Sequence, residues 1–94
     1  MQDENQPLDE RGLSKLKWRC RRGLLENDLY IERFFERYSD TLTVRQAGAL
    51  SLLMDLSDHD LLDIHLARKP LEQVNQDLVR DDVVEIVSML RELR

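Results

Sequence analysis

The sequence predicts an all-α protein, a compact single-domain bundle of about five short helices. Three observations carry that prediction. Hydrophobic residues make up 41% of the 94 residues and charged residues 35%, with three Gly and two Pro, a balance that favours helices over sheet. Apolar residues recur at spacings of three and four through most of the chain, the period of a helix with one buried face. Turn-forming residues break that pattern every ten to fifteen residues.

Residues 1–12 lack periodicity and contain Pro7 and Gly12, so they are expected to form a disordered or loosely docked lead-in. The helical domain is expected to occupy residues 13–94. Its first helix runs from about Ser14 to Arg22. Arginines in the last turn favour the negative end of the dipole, and Gly23 serves as the stop. Leu13, Leu16 and Cys20 form a core stripe, whereas Lys15, Arg19 and Arg22 line the far side with Trp18 beside them.

Helix two is expected over 25–38, with Leu25, Leu29, Ile31, Phe34, Phe35 and Tyr38 on the buried face. Ser39-Asp40-Thr41 reads as a turn. Thr43 and Gln46 form a capping-box pair for helix three, which continues to about Asp55 and is apolar around enough of its circumference to be central. Ser57 caps helix four, and Pro70 forbids its continuation. Residues 68–80 fit either a loose helical turn or a loop anchored by Leu71, Val74 and Leu78. In helix five, Asp82 and Glu85 are a second capping pair, ahead of Val83, Ile86, Val87, Leu90 and Leu93.

Composition narrows the functional classes. A single cysteine forms no internal disulfide, and a reducing compartment suits it. No apolar run reaches membrane-spanning length, and the acidic, polar N-terminal stretch is unlike a signal or transit peptide, so the cytoplasm is the expected location. The glycines are scattered and make no phosphate loop. Cys20 falls on the core stripe and is expected to be buried and inert. His59, Asp63 and their acidic neighbours lack a second strong ligand type, and His65 reads as a packing residue. No catalytic residue, cofactor site or metal site is therefore expected, and the chain is not expected to be an enzyme.

What remains is the stretch from Lys15 to Arg22, with five basic residues and no acid in a chain of net charge -5. A Trp among guanidinium groups on the outer face of a short helix has the composition of an interaction anchor. Two readings compete for it. One is contact with a protein partner. The other is a small helical nucleic-acid-binding or antitoxin-like regulator that uses the first helix for recognition. Net negative charge and the acids Glu26 and Asp28 weigh against the second.

Arg22-Gly23-Leu24-Leu25-Glu26 fits an RGxxE motif, and with Trp18, Arg19, Arg21 and Asp28 it resembles the SdhE family, the flavinylation (FAD assembly) factors of succinate dehydrogenase. The similarity extends through Leu52-Leu53, Asp58, Asp60 and Leu61. Two positions depart from the family pattern: Asn27 stands where an apolar residue is usual, and Ile64 where an aromatic is expected. The resemblance implies a helical factor that binds the flavoprotein subunit of succinate dehydrogenase, with fumarate reductase as a second candidate. It would promote covalent attachment of FAD to a histidine of that partner while holding no cofactor itself. The implied contact residues are Arg22, Gly23 and Glu26, supported by Trp18, Arg19 and Arg21. The factor is expected to act as a monomer, without nucleic acid or membrane.

Overall fold

In the computed structural model, residues 6–21 and 25–92 are described, and they form six helices with one 3-10 turn. The helices are α1 (Glu10–Arg19), α2 (Leu25–Tyr38), α3 (Val44–Leu53), α4 (Asp58–His65), α5 (Leu71–Val74) and α6 (Asp81–Arg91), with the turn at Gln76–Leu78. The all-α expectation holds. The sixth helix comes from the ambiguous region, where Leu71 and Leu78 are buried and Asn75 Oδ1 accepts from Asp77 N at 2.9 Å.

Helix α3 is the centre, as its wide apolar surface requires. Ala47, Ala49, Leu50 and Leu53 are buried on it, and it packs against α6 on one side and α1 on another. Its start carries the expected capping box: Gln46 N donates to Thr43 Oγ1 at 3.1 Å, and Thr43 N to Gln46 Oε1 at 3.0 Å. Ser57 Oγ caps α4 by accepting from Asp60 N at 3.2 Å. Around α3 the core closes with Phe34, Leu42, Leu61, Ile64, Ile86 and Leu90.

Three local expectations are corrected. Helix α1 begins at Glu10 rather than Ser14, because the Asp9 carboxylate accepts from Gly12 N at 2.6 Å and caps it. Gly12, read as a loop residue, lies inside that first turn. A Cβ there would meet Asp9 Oδ1 and Leu8 Cδ1 at 2.9 Å, so glycine permits the close cap. The segment before the helix is pinned, with Leu8 N donating to Leu42 O at 2.8 Å and Val44 N to Gln6 O at 3.0 Å.

The second correction concerns α6. Asp82 and Glu85 do not form its cap. Asp82 pairs with Arg80 at 3.1 Å, while Glu85 accepts from Arg45 at 2.8 Å and from Gln46 Nε2 at 2.9 Å, tying α6 to α3. The third concerns α2. Ile31, Phe34 and Phe35 are buried, but Leu25 is 68% exposed and Leu29 43%. Periodicity marks an apolar face, yet only packing decides how far along the helix a neighbour covers it. The Leu93 expected at the end of helix five lies outside the described residues.

Helix α4 ends in an unusual conformation. Ala67 has φ of 55°, with Ala67 N donating to Ile64 O at 3.2 Å and Arg68 N to Asp63 O at 2.9 Å. This is the Schellman arrangement, with alanine at the left-handed position that normally selects glycine. Arg91 reaches over from α6 to bond Ile64 O at 3.2 Å, adding a cation at the same helix end. Beneath it His65 is fully buried and stacked on Tyr30, centroids 4.7 Å apart and planes 11° from parallel.

Candidate protein-binding corner

The end of α1 (residues 18–21) and the start of α2 (residues 25–27) are the two flanks of the candidate corner, and both are held by the α3–α4 junction. On the α1 side, Arg19 Nε donates to Ser51 Oγ at 3.2 Å, and Nη2 lies 2.5 Å from Asp55 Oδ1 and 3.5 Å from Ser51 O. On the α2 side, Asn27 Nδ2 donates to Asp58 O at 2.9 Å. Arg19 and Asn27 thus rest on two footings only three residues apart in sequence, Asp55 and Asp58.

Arg19 therefore does not point away from the protein, as the helical wheel predicts. Because α1 lies along α3, a side chain on its flank reaches the last turn of α3, where a guanidinium satisfies a carbonyl and favours the dipole. The pair is half exposed, so its contribution to stability is about 1 kcal/mol or less. Cys20 is buried, as the core stripe predicts. Leu16 is buried with it, and Leu13 packs at the edge of the core.

Trp18 lies on the exposed side of α1, as its place beside Lys15 on the helical wheel predicts. Its side chain is 73% exposed, with the Arg21 guanidinium over the ring at 5.6 Å from the centroid. An exposed indole stacked by a cation is a preformed, amphipathic contact element. Glu26, on the first turn of α2, is exposed between the exposed Leu25 and the buried Asn27. Arg22 and Gly23, the centre of the motif, lie outside the described residues. The structure thus brings Trp18, Arg19, Arg21 and Glu26 to one end of the α1–α2 pair, with Arg19 engaged by α3 and the other three exposed.

Sequence reasoning missed the anchoring partners Ser51, Asp55 and Asp58. It did flag Asn27 as a polar residue at an apolar position, and that was the available signal. Asn27 is fully buried, its Nδ2 is satisfied by Asp58, and its Oδ1 has no hydrogen-bond partner. Elsewhere the chemistry is sparse. Asp63, paired in the sequence with His59, instead faces Arg68 at 3.7 Å and Lys69 at 3.5 Å.

Comparison with known proteins identifies a family for the chain. A family model described as "Flavinator of succinate dehydrogenase" matches residues 14–92, which include α2 to α6 and the corner. The chain belongs to this family. The FAD assembly factor SdhE of Ralstonia nicotianae is 47% identical over 78 residues, covering 83% of this chain and 79% of the relative. The namesake factor of Legionella pneumophila strain Lens is 33% identical over 84 residues, 89% of this chain and 96% of the relative. That of Coxiella burnetii is 39% identical over 59 residues, 63% and 68% of the two chains. No solved structure matches the chain. Among the described residues no helix is long and apolar enough to cross a membrane.

Proposed function

We propose that this chain is an assembly factor that binds the flavoprotein subunit of succinate dehydrogenase and promotes covalent attachment of its FAD. The observation that carries this reading is the family match over residues 14–92, which spans the exposed Trp18–Arg21 corner and Glu26. Fumarate reductase, whose flavoprotein poses the same chemical problem, is the second partner in the proposal. The chain acts as a monomer in the cytoplasm, contributes no catalytic residue and holds no cofactor of its own.

The proposed mechanism is orientation. Aligning two reacting groups removes much of the entropic barrier to joining them, and a binding surface supplies that without an acid, base or nucleophile. The bond is formed by flavin and partner, while the factor holds the partner's parts in place. Trp18 offers a large, rigid apolar contact and Arg21 a planar fork for a carboxylate or carbonyl. Glu26 receives a donor from the partner. Arg22 grips beside it, and Gly23 admits the partner's backbone. Two anchored flanks suit such a role, since a contact held in place loses less entropy on binding.

The test is a reconstituted assay with the apo flavoprotein subunit and excess FAD. Wild-type factor accelerates flavinylation, and Glu26→Ala and Arg22→Lys lose most of that acceleration while remaining folded. Wild-type rates for both variants would remove the corner from the mechanism. A complex with a defined DNA or RNA duplex at physiological salt, at nanomolar Kd, would favour a nucleic-acid reading instead.

A further inference from the structure

Helix α2 opens with apolar residues on its outside. Leu25 is 68% exposed and Leu29 43%, and the two stand one turn apart, at i and i+4, on the same face. A single exposed leucine is ordinary, but a contiguous pair makes a patch. The patch is local. Beyond Leu29 the exposed positions of α2 are Glu32, Arg33, Glu36 and Arg37, all of them charged. Apolar exposure on this helix is therefore confined to the two turns that carry Glu26.

Glu26 stands inside the patch. Leu25 precedes it, and its helical neighbours at i+3 and i+4 are Leu29 and Tyr30. A basic residue at either of those positions would give the acid a stabilising pair within the helix; a leucine and a tyrosine occupy them instead. Tyr30 is held by stacking on the buried His65, with centroids 4.7 Å apart, so that side of the surround is fixed before a partner arrives. The surround decides what such a carboxylate contributes. In open water its pair with a partner's cation is screened and weak. With apolar surface closed around it, the same pair is stronger and less sensitive to salt.

Resting on the assembly-factor reading, we propose that Leu25, Leu29 and Tyr30 form an apolar rim that closes against the flavoprotein subunit and dries the contact made by Glu26. The occupant is a lysine or arginine of that subunit, set in apolar surface of its own. The acid selects a cation, and the residues bracketing the acid select the apolar setting. The rim is continuous with the corner assigned to the same partner, since Leu25 and Glu26 are adjacent in the chain. Phosphate, whether on nucleic acid or on an anionic lipid, is repelled by Glu26.

The experiment measures Kd of the full chain for the apo flavoprotein subunit at low and high salt, with Leu29→Ser, Glu26→Gln and the double variant. Leu29→Ser should weaken binding about tenfold, whereas Leu29→Met, which keeps the apolar contact, should stay within about threefold of wild type. Val84→Ser removes apolar surface at a similar 45% exposure on α6 and should stay within about twofold. In the otherwise wild-type chain, Glu26→Gln should cost a similar factor at both salts. In the Leu29→Ser background it should cost less, and least at high salt, because water already reaches the acid. Both leucines are exposed, so melting curves should match wild type; Leu25→Ser, at the more exposed position, repeats the measurement independently.

Wild-type affinity in both serine variants overturns the rim while leaving the assembly-factor reading intact. Losses that simply add to that of Glu26→Gln do the same, as does an equal loss in Val84→Ser. A wild-type dimer in sedimentation that Leu29→Ser dissociates, with subunit affinity unchanged, would give the patch to a second copy of the chain and overturn the rim. Failure of the wild-type chain itself to bind the subunit removes the assembly-factor reading and this one with it.

Discussion

Asn27 Nδ2 lies 2.9 Å from the backbone carbonyl of Asp58 and 3.5 Å from its Oδ1, joining the first turn of α2 to the first turn of α4. The other half of the Asn27 amide, Oδ1, is buried without a partner, so the contact combines a favourable bond with an unsatisfied acceptor. Asn27→Ala should destabilise by about 1–3 kcal/mol through the lost bond and the space left behind. Asn27→Leu should recover most of that, since it removes the orphaned oxygen and restores apolar contact. Chemical denaturation of the two variants checks this; equal losses would mean that the bond outweighs the buried oxygen.

His65 should make the fold acid-sensitive. Burial lowers its pKa from an ordinary 6.5 to about 4, and neither ring nitrogen has a hydrogen-bond partner. The unfolded chain therefore binds a proton more readily than the folded one. The stabilising contribution is complete above pH 6.5 and declines as pH falls toward 4, a change of roughly 3 kcal/mol. Melting temperature followed from pH 7 to pH 4 should drop accordingly. His65→Phe, which keeps a ring against Tyr30, should flatten that slope.

Ala67→Gly should stabilise the protein. Alanine at φ of 55° carries about 1–2 kcal/mol of strain, and glycine relieves it at an entropic cost of about 0.5–1 kcal/mol. The expected net gain is several tenths of a kcal/mol to about 1 kcal/mol, read as a higher denaturation midpoint. A lower midpoint would show that the Schellman turn draws more from the alanine methyl than it loses.

Trp18 and Arg19 should separate contact from scaffold. Trp18→Ala removes an exposed ring, so stability should change by no more than about 0.5 kcal/mol while flavinylation of the partner slows clearly. Arg19→Ala cuts the tie to Ser51 and Asp55, so it should lower stability slightly, by about 1 kcal/mol at most, and slow flavinylation by loosening the corner. Asp55→Ala should reproduce the Arg19→Ala defect if anchorage is what matters. An Asp55→Ala protein with normal rates would assign Arg19 to direct contact.

What the sequence made legible follows from the range of each force. The capping box at Thr43 and Gln46, the cap at Ser57 and the burial of Cys20 depend on neighbours within one or two turns, and the structure has all three. Glu85 shows the limit. Its spacing from Asp82 fits a cap, but Arg45 and Gln46, about forty positions away, offer two stronger bonds. Leu25 and Leu29 continue an apolar stripe that, among the described residues, no other helix covers. The corner was legible as a composition of Trp, Arg and Glu. Its anchorage was not, because Arg19 to Asp55 and Asn27 to Asp58 are meetings of residues more than thirty positions apart.

Those distances also set an order of events when the chain is made. During synthesis from the N-terminus, Leu8 has no carbonyl to bond until Leu42 has emerged, and Arg19 and Asn27 have no footing until Asp55 and Asp58 follow. Each closure also spans a long loop, whose entropic cost must be met before the contact can form. A nascent chain stalled within α3 therefore displays Trp18, Arg21 and Glu26 before the bonds to Asp55 and Asp58 can form. Both footings are present only once α4 begins, so an unfinished chain carries the residues of the corner without the bonds that position them.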